Sequence, residues 1–113
     1  MIKKIVFLVE TVFTIRDYQR FGIELLQKNG FEVEVWDLTP VLHPAFFQSH
    51  IPQDVCNYKE VILFDSAKLM YKRISSLALD TIVINSVSYN FSNLAVYRAL
   101  TKSFSEYVLI FVN

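Results

Sequence analysis

The stretch from residue 3 to residue 38, KKIVFLVETVFTIRDYQRFGIELLQKNGFEVEVWDL, decides the fold class. Lys3 and Lys4 precede a continuous apolar run, Ile5 to Val9, which has the composition of a parallel strand covered on both faces; Glu10 ends it. Thr14 stands three residues before Asp17, a capping-box-like helix start with an acid in the first turn. Tyr18, Phe21, Gly22, Leu25 and Leu26 then share the i, i+3, i+4, i+7, i+8 spacing of one helix face, and Gly30 supplies a C-terminal cap. Beyond it Phe31, Val33 and Val35 alternate with Glu32, Glu34 and Trp36 at the period of a strand. These elements make one β-α-β unit.

Working outward, residues 40–57 hold all three prolines and both histidines, with a short helical turn expected near Ala45 to Gln48. This segment is long enough for a parallel crossover without a long helix of its own. Val61 to Phe64 forms the next apolar strand, and Ser66 caps a helix whose Ala67, Met70, Ile74 and Leu77 share a face. DTIVINS supplies a fourth strand, and a turn-rich stretch leads into a helix striped by Leu94, Tyr97, Leu100 and Phe104. The terminal EYVLIFVN is continuously apolar from Tyr107 to Val112, a fifth strand.

Such alternation predicts an α/β fold, a doubly wound parallel five-stranded sheet. Two strand orders fit: Rossmann-like 3-2-1-4-5, with its crevice between strands 1 and 4, and flavodoxin-like 2-1-3-4-5, with its crevice between strands 1 and 3. Glu32 and Glu34 suit an edge strand and lean toward the second. In either case the loop after the first strand, residues 10–16, lies at the switch point.

Composition bounds the function. A chain of 113 residues is sized for one domain, and eleven basic against eleven acidic residues leave no electrostatic footprint for nucleic acid. Cys56 is the sole cysteine and has no internal disulfide partner. The apolar run before Glu10 is too short for a signal-peptide core, and no run approaches the roughly 20 residues of a membrane span. These features predict a cytoplasmic protein with no transmembrane segment, attachment at the inner face of the membrane remaining open. A hydrophobic content of 53% points to surface meant to be covered by something further.

Several chemistries fail on residue type. The loop ETVFTIRD contains no glycine, so backbone amides have no close approach to a pyrophosphate, and neither a dinucleotide fingerprint nor a P-loop is present. Asp37, where a dinucleotide fold carries its ribose acid, reads as a solvated strand-end acid. His43, His50 and Cys56 are spaced H-x6-H-x5-C, which matches no zinc framework, and no metal is expected. A receiver-like signalling domain would use Asp65 as phosphate acceptor, Ser86 as switch hydroxyl and Glu10 as a magnesium ligand. It lacks the second acid, because Thr11 follows Glu10, and it lacks the lysine after the fifth strand.

KKIVFLVETVFTIRDYQRFGIELLQKNGFEVEVWDLTPVLHP, with NLAVYRALTKS leading into YVLIFVN, resembles the start of bacterial GT-B-type glycosyltransferases of surface-polysaccharide biosynthesis. The resemblance covers the chain and implies that residues 1–113 are a single Rossmann-like domain, the N-terminal part of a longer two-domain transferase. It implies the 3-2-1-4-5 order, a sugar or lipid-linked sugar acceptor on this domain, and a nucleotide-sugar donor held mainly by a C-terminal domain. No cofactor is then expected here, the partners are the acceptor and that second domain, and the chain alone is inactive. Under that topology the candidate substrate-binding residues are Glu10, Thr11, Arg16, Asn85, Ser86, Tyr89 and Asn90, at the ends of strands 1 and 4. Hydroxyl, amide and aromatic groups suit a sugar, and Glu10 is a candidate general base without a supporting motif. The competing class is a non-catalytic α/β signalling or interaction domain of receiver-like architecture.

Overall fold

The computed structural model describes residues 2–49, 52–77, 80–87, 98 and 108–111. Its strands are β1 (Lys4–Val9), β2 (Glu32–Asp37), β3 (Val61–Leu63), β4 (Thr81–Asn85) and β5 (Val108–Phe111). The helices are α1 (Ile15–Arg20), α2 (Ile23–Lys28), α3 (Thr39–Leu42), α4 (Pro44–Ser49) and α5 (Ala67–Ser75). All strand pairs are parallel: β1 lies between β2 and β4, β3 pairs with β2, and β5 runs alongside β4. The fold is therefore α/β with a parallel sheet, of Rossmann-like type. The expected helix striped by Leu94, Tyr97, Leu100 and Phe104 lies outside the described residues, as do Tyr107 and Val112.

The flavodoxin-like alternative is overturned, because β1 pairs with β4 and β3 sits beyond β2. The edge-strand hint failed for a specific reason. Glu34 lies on an inner strand, where Lys4 Nζ approaches its Oε2 at 2.8 Å and Trp36 Nε1 donates to its Oε1 at 2.8 Å. Burial alone would push this carboxyl up, but those two hydrogen bonds and the nearby positive charge of Lys4 and Arg73 outweigh it and hold the pKa low.

Strand β1 divides two cores. Ile5, Phe7 and Val9 pack with Ile23 of α2 and with Val33 and Val35, whereas Val6 and Leu8 pack with Trp36, Phe64, and Met70 and Ile74 of α5. Helices α2 and α5 thus cover opposite faces, each face carrying alternate residues of one strand. Phe7 stacks on Phe21 with centroids 4.7 Å apart, and Trp36 meets the edge of Phe64 at 5.4 Å.

The capping box forms as expected: Asp17 N donates to Thr14 Oγ1 at 3.2 Å and Thr14 N to Asp17 Oδ2 at 3.1 Å. The single helix does not. Gly22 adopts φ +66°, which separates α1 from α2. Ile23 consequently takes the buried position, while Leu25, expected on the apolar stripe, is 65% exposed. Helix α2 ends in a Schellman motif, with Phe31 N donating to Leu26 O, Gly30 N to Gln27 O, and Gly30 at φ +90°. Of the stripe expected for α5, Met70 and Ile74 are buried, as is Leu77 just past the helix, whereas Ala67 is exposed; Ser66 Oγ accepts from Leu69 N. The helical turn expected near Ala45 is α4, and α3 precedes it.

Two outcomes follow for stability. No atom crowds a Cβ built at Gly22, so Gly22→Ala should cost about 1 kcal/mol through its left-handed backbone alone, read by urea denaturation. Glu34 is depressed in the fold, so its contribution is complete above the ordinary carboxylate pKa and is lost as pH falls through the folded value. The difference in urea midpoint between the wild type and Glu34→Gln should therefore shrink on acidification.

Candidate functional site

The carboxyl ends of the strands are tied together before any ligand is considered. Leu38 N donates to Val9 O at 2.9 Å and Phe64 N to Asp37 O at 3.0 Å. Both Ser86 N, at 3.1 Å, and Ser86 Oγ, at 2.7 Å, donate to Leu8 O. The loop after β1 is fastened to the segment before β3, where Cys56 N donates to Phe13 O and Ile15 N to Asp54 O. An isolated antiparallel bridge joins Thr14 and Val55 between those bonds.

Asp37 locks the centre of this mouth. The expectation of a solvated acid is overturned, since the residue is 1% exposed. Thr39 N donates to its Oδ1 at 2.9 Å, Thr39 Oγ1 donates to the same oxygen, and the Phe13 backbone N–H adds a further bond. Burial nevertheless prevails over these donors and raises the carboxyl's pKa. The acid joins the end of β2 to the loop after β1 and to the first turn of α3.

Above it, α3 and α4 bring His43 to Glu10. His43 Nε2 lies 3.0 Å from Glu10 Oε2, and the two side chains are 35% and 18% exposed. With Glu10 ionised, the contact is satisfied by His43 Nε2–H donating to the carboxylate, which leaves the lone pair of a neutral ring on Nδ1. Glu10, Thr11, His43 and Phe46 line a cleft of about 320 Å3. A second cleft of about 680 Å3 adjoins it, lined by Thr11, Thr14, Arg16, Phe46, Ser49 and Asp54 among others. Thr11 and Phe46 border both.

Of the residues expected at the site, Glu10, Thr11 and Arg16 come together here. Arg16 is exposed at the larger cleft, and Asp17 pairs instead with Arg20 at 3.0 Å. Asn85 and Ser86 are not among the residues lining the two clefts. Ser86 is spent on the Leu8 carbonyl, and Asn85 is buried with its Oδ1 accepting from Val87 N. Tyr89 and Asn90 lie outside the described residues, as does His50 of the H-x6-H-x5-C set. Among the described residues no group of three His, Cys, Asp or Glu side chains is arranged to hold a metal. His43 and Phe46 were missed as cleft-lining residues, because nothing local marks a histidine that meets an acid thirty-three positions earlier.

The receiver geometry does not form. Asp65 follows β3, and β2 intervenes between β3 and β1, so the exposed Asp65 and Glu10 stand over different gaps in the sheet. In comparisons with known proteins, the chain matches no protein-family model, no curated protein and no solved structure.

Asp37→Ala should cost about 2 kcal/mol, since two donors of Thr39 lose a buried acceptor, whereas Asp37→Asn should retain the Thr39 bonds and cost less. The pH signature is opposite to that of Glu34. Folding raises the Asp37 pKa, so acidification through the window between the ordinary and the raised value favours the fold, and Asp37→Asn should abolish that component of the urea midpoint.

Proposed function

We propose that this chain is the acceptor-side, Rossmann-like domain of a sugar-transferring enzyme of GT-B type in bacterial surface-polysaccharide biosynthesis. The observation that carries the reading is the 3.0 Å contact between Glu10 and His43 at the carboxyl end of β1, opening onto a cleft bordered by a hydroxyl and an aromatic ring. A carboxylate holding one imidazole nitrogen orients the ring and leaves the other nitrogen to meet a ligand. In the proposed reaction His43 Nδ1 takes the proton of an acceptor hydroxyl as its oxygen bonds to the anomeric carbon of a donor. The bond from that carbon to the nucleotide diphosphate breaks, and the nucleotide leaves with the electron pair. Glu10 stabilises the imidazolium that forms.

The parallel sheet with β1 between β2 and β4 is compatible with a Rossmann-like half of such an enzyme, and the clefts open at the carboxyl end of β1, on the side of α4. The five-stranded 3-2-1-4-5 arrangement, one half of a bilobed enzyme, belongs to the same proposal. So do the remaining roles: a nucleotide-sugar donor on a second domain, a sugar or lipid-linked sugar acceptor on this one, no cofactor of its own, and a cytoplasmic location that leaves attachment at the inner face of the membrane open. No described helix is long and apolar enough to cross a membrane. The receiver-like alternative loses support with the separation of Asp65 from Glu10.

The test is a titration of the isotopically labelled chain with glucose, galactose and N-acetylglucosamine, followed by amide chemical shifts. Shifts should concentrate at Glu10, Thr11, His43 and Phe46, and His43→Ala should weaken the response about tenfold while leaving the melting temperature within a few degrees. Saccharide-independent spectra, or shifts confined to other parts of the sheet, overturn the reading.

A further inference from the structure

We infer that the ligand is an oligosaccharide of at least two units, which crosses from the smaller cleft to the larger over the ring of Phe46. The inference rests on the sugar-binding reading above and extends it to ligand length. Two features carry it. First, the clefts are not separate sites: Thr11 and Phe46 form a wall common to both, so a ligand leaving Glu10 and His43 meets that wall and then Arg16 and Asp54. Second, Phe46 has no place in either core. It is 46% exposed, and α4, which carries it, has no buried residue. Its ring is held at the boundary of two clefts, where an exposed aromatic face matches the C–H face of a pyranose.

Size and polarity agree with this placement. The smaller cleft, about 320 Å3, stands at the low end for a small-molecule pocket, while both clefts together reach the range of an extended ligand. The base end is formed by Glu10 and His43, which suits the terminal unit whose hydroxyl reacts. Past the ring come the guanidinium of Arg16, the hydroxyl of Ser49 and the carboxylate of Asp54, a mixture of donors and acceptors fitted to the hydroxyls of a preceding unit. Phe46 is then a specificity-determining residue that measures acceptor length.

Matched pairs test it: glucose against cellobiose, galactose against lactose, N-acetylglucosamine against chitobiose, titrated into the labelled wild-type chain, Phe46→Ala and Phe46→Leu. At least one disaccharide should bind about tenfold more tightly than its monosaccharide and shift the amides of Thr14, Arg16 and Asp54, which the monosaccharide leaves in place. Phe46→Ala should remove that advantage, a stacking contact being worth about one factor of ten. Phe46→Leu, which keeps apolar bulk but not the flat face, should remove most of it. Unchanged melting temperatures show that both variants fold. Monosaccharides that bind as tightly as their disaccharides, or an advantage that survives Phe46→Ala, overturn the length inference and leave the sugar reading standing. A chain that binds no saccharide of either length sinks both.

Discussion

Strand β1 is enclosed on both faces, and the placement of every other element follows from that enclosure. Five consecutive apolar residues serve two cores of different shape, one built around the stacked rings of Phe7 and Phe21, the other around Trp36, Phe64 and Met70. Charged residues close the strand at either end: Lys4 reaches Glu34, and Glu10 reaches His43. A shift of one residue would exchange the two side-chain sets between the cores and pull one of those charges into the sheet. Both changes are costly, so the register is narrowly specified. The position of Glu10 at the mouth is thus a consequence of burial five residues earlier.

A site on loops needs a rigid floor, and Asp37 is central to it. Its carboxylate gathers Thr39 and the Phe13 amide, linking β2, α3 and the loop after β1 at one buried point. The raised pKa shows that the fold tolerates this charge at a cost, as expected where connectivity outweighs desolvation. Ser86 does comparable work for β1 and β4, closing the Leu8 carbonyl with two donors. Ser86, which looked available for a ligand in the linear chain, is instead consumed in holding the strand ends together. The residues lining the smaller cleft, Glu10, Thr11, His43 and Phe46, stand on that floor.

The fold class was legible because burial leaves a period in the chain. The run from Ile5 to Val9, the Thr14 and Asp17 pair, Gly30, and the Met70, Ile74 and Leu77 stripe each correspond to a local physical requirement, and each is met. Strand neighbours were not legible from periodicity: Glu34 on an inner strand, partnered by Lys4 and Trp36, has the same alternation as a solvated edge. The helix break was equally hidden, since a glycine fits both a continuous helix and a left-handed turn, and only the packing of Ile23 selects the turn. At the site, Glu10, Thr11 and Arg16 could be placed because they follow β1 directly. His43 could not, because its approach depends on how two short helices fold across a proline-rich connection.

The electrostatics of the mouth argue for a neutral, hydroxyl-bearing ligand over an anionic one. At the start of α1, Thr14 and Asp17 satisfy each other's backbone N–H and Ile15 N donates to Asp54 O, and the helix is only six residues long. Among the residues lining the larger cleft, the one cation, Arg16, is accompanied by Asp17 and Asp54. With Asp17 paired to Arg20, the charge of Arg16 is balanced by Asp54, so a phosphate placed there meets no net positive charge, and the loop has no glycine to let backbone amides approach it closely. A sugar hydroxyl suffers neither penalty: it donates to a carboxylate as readily as it accepts from a guanidinium or a threonine.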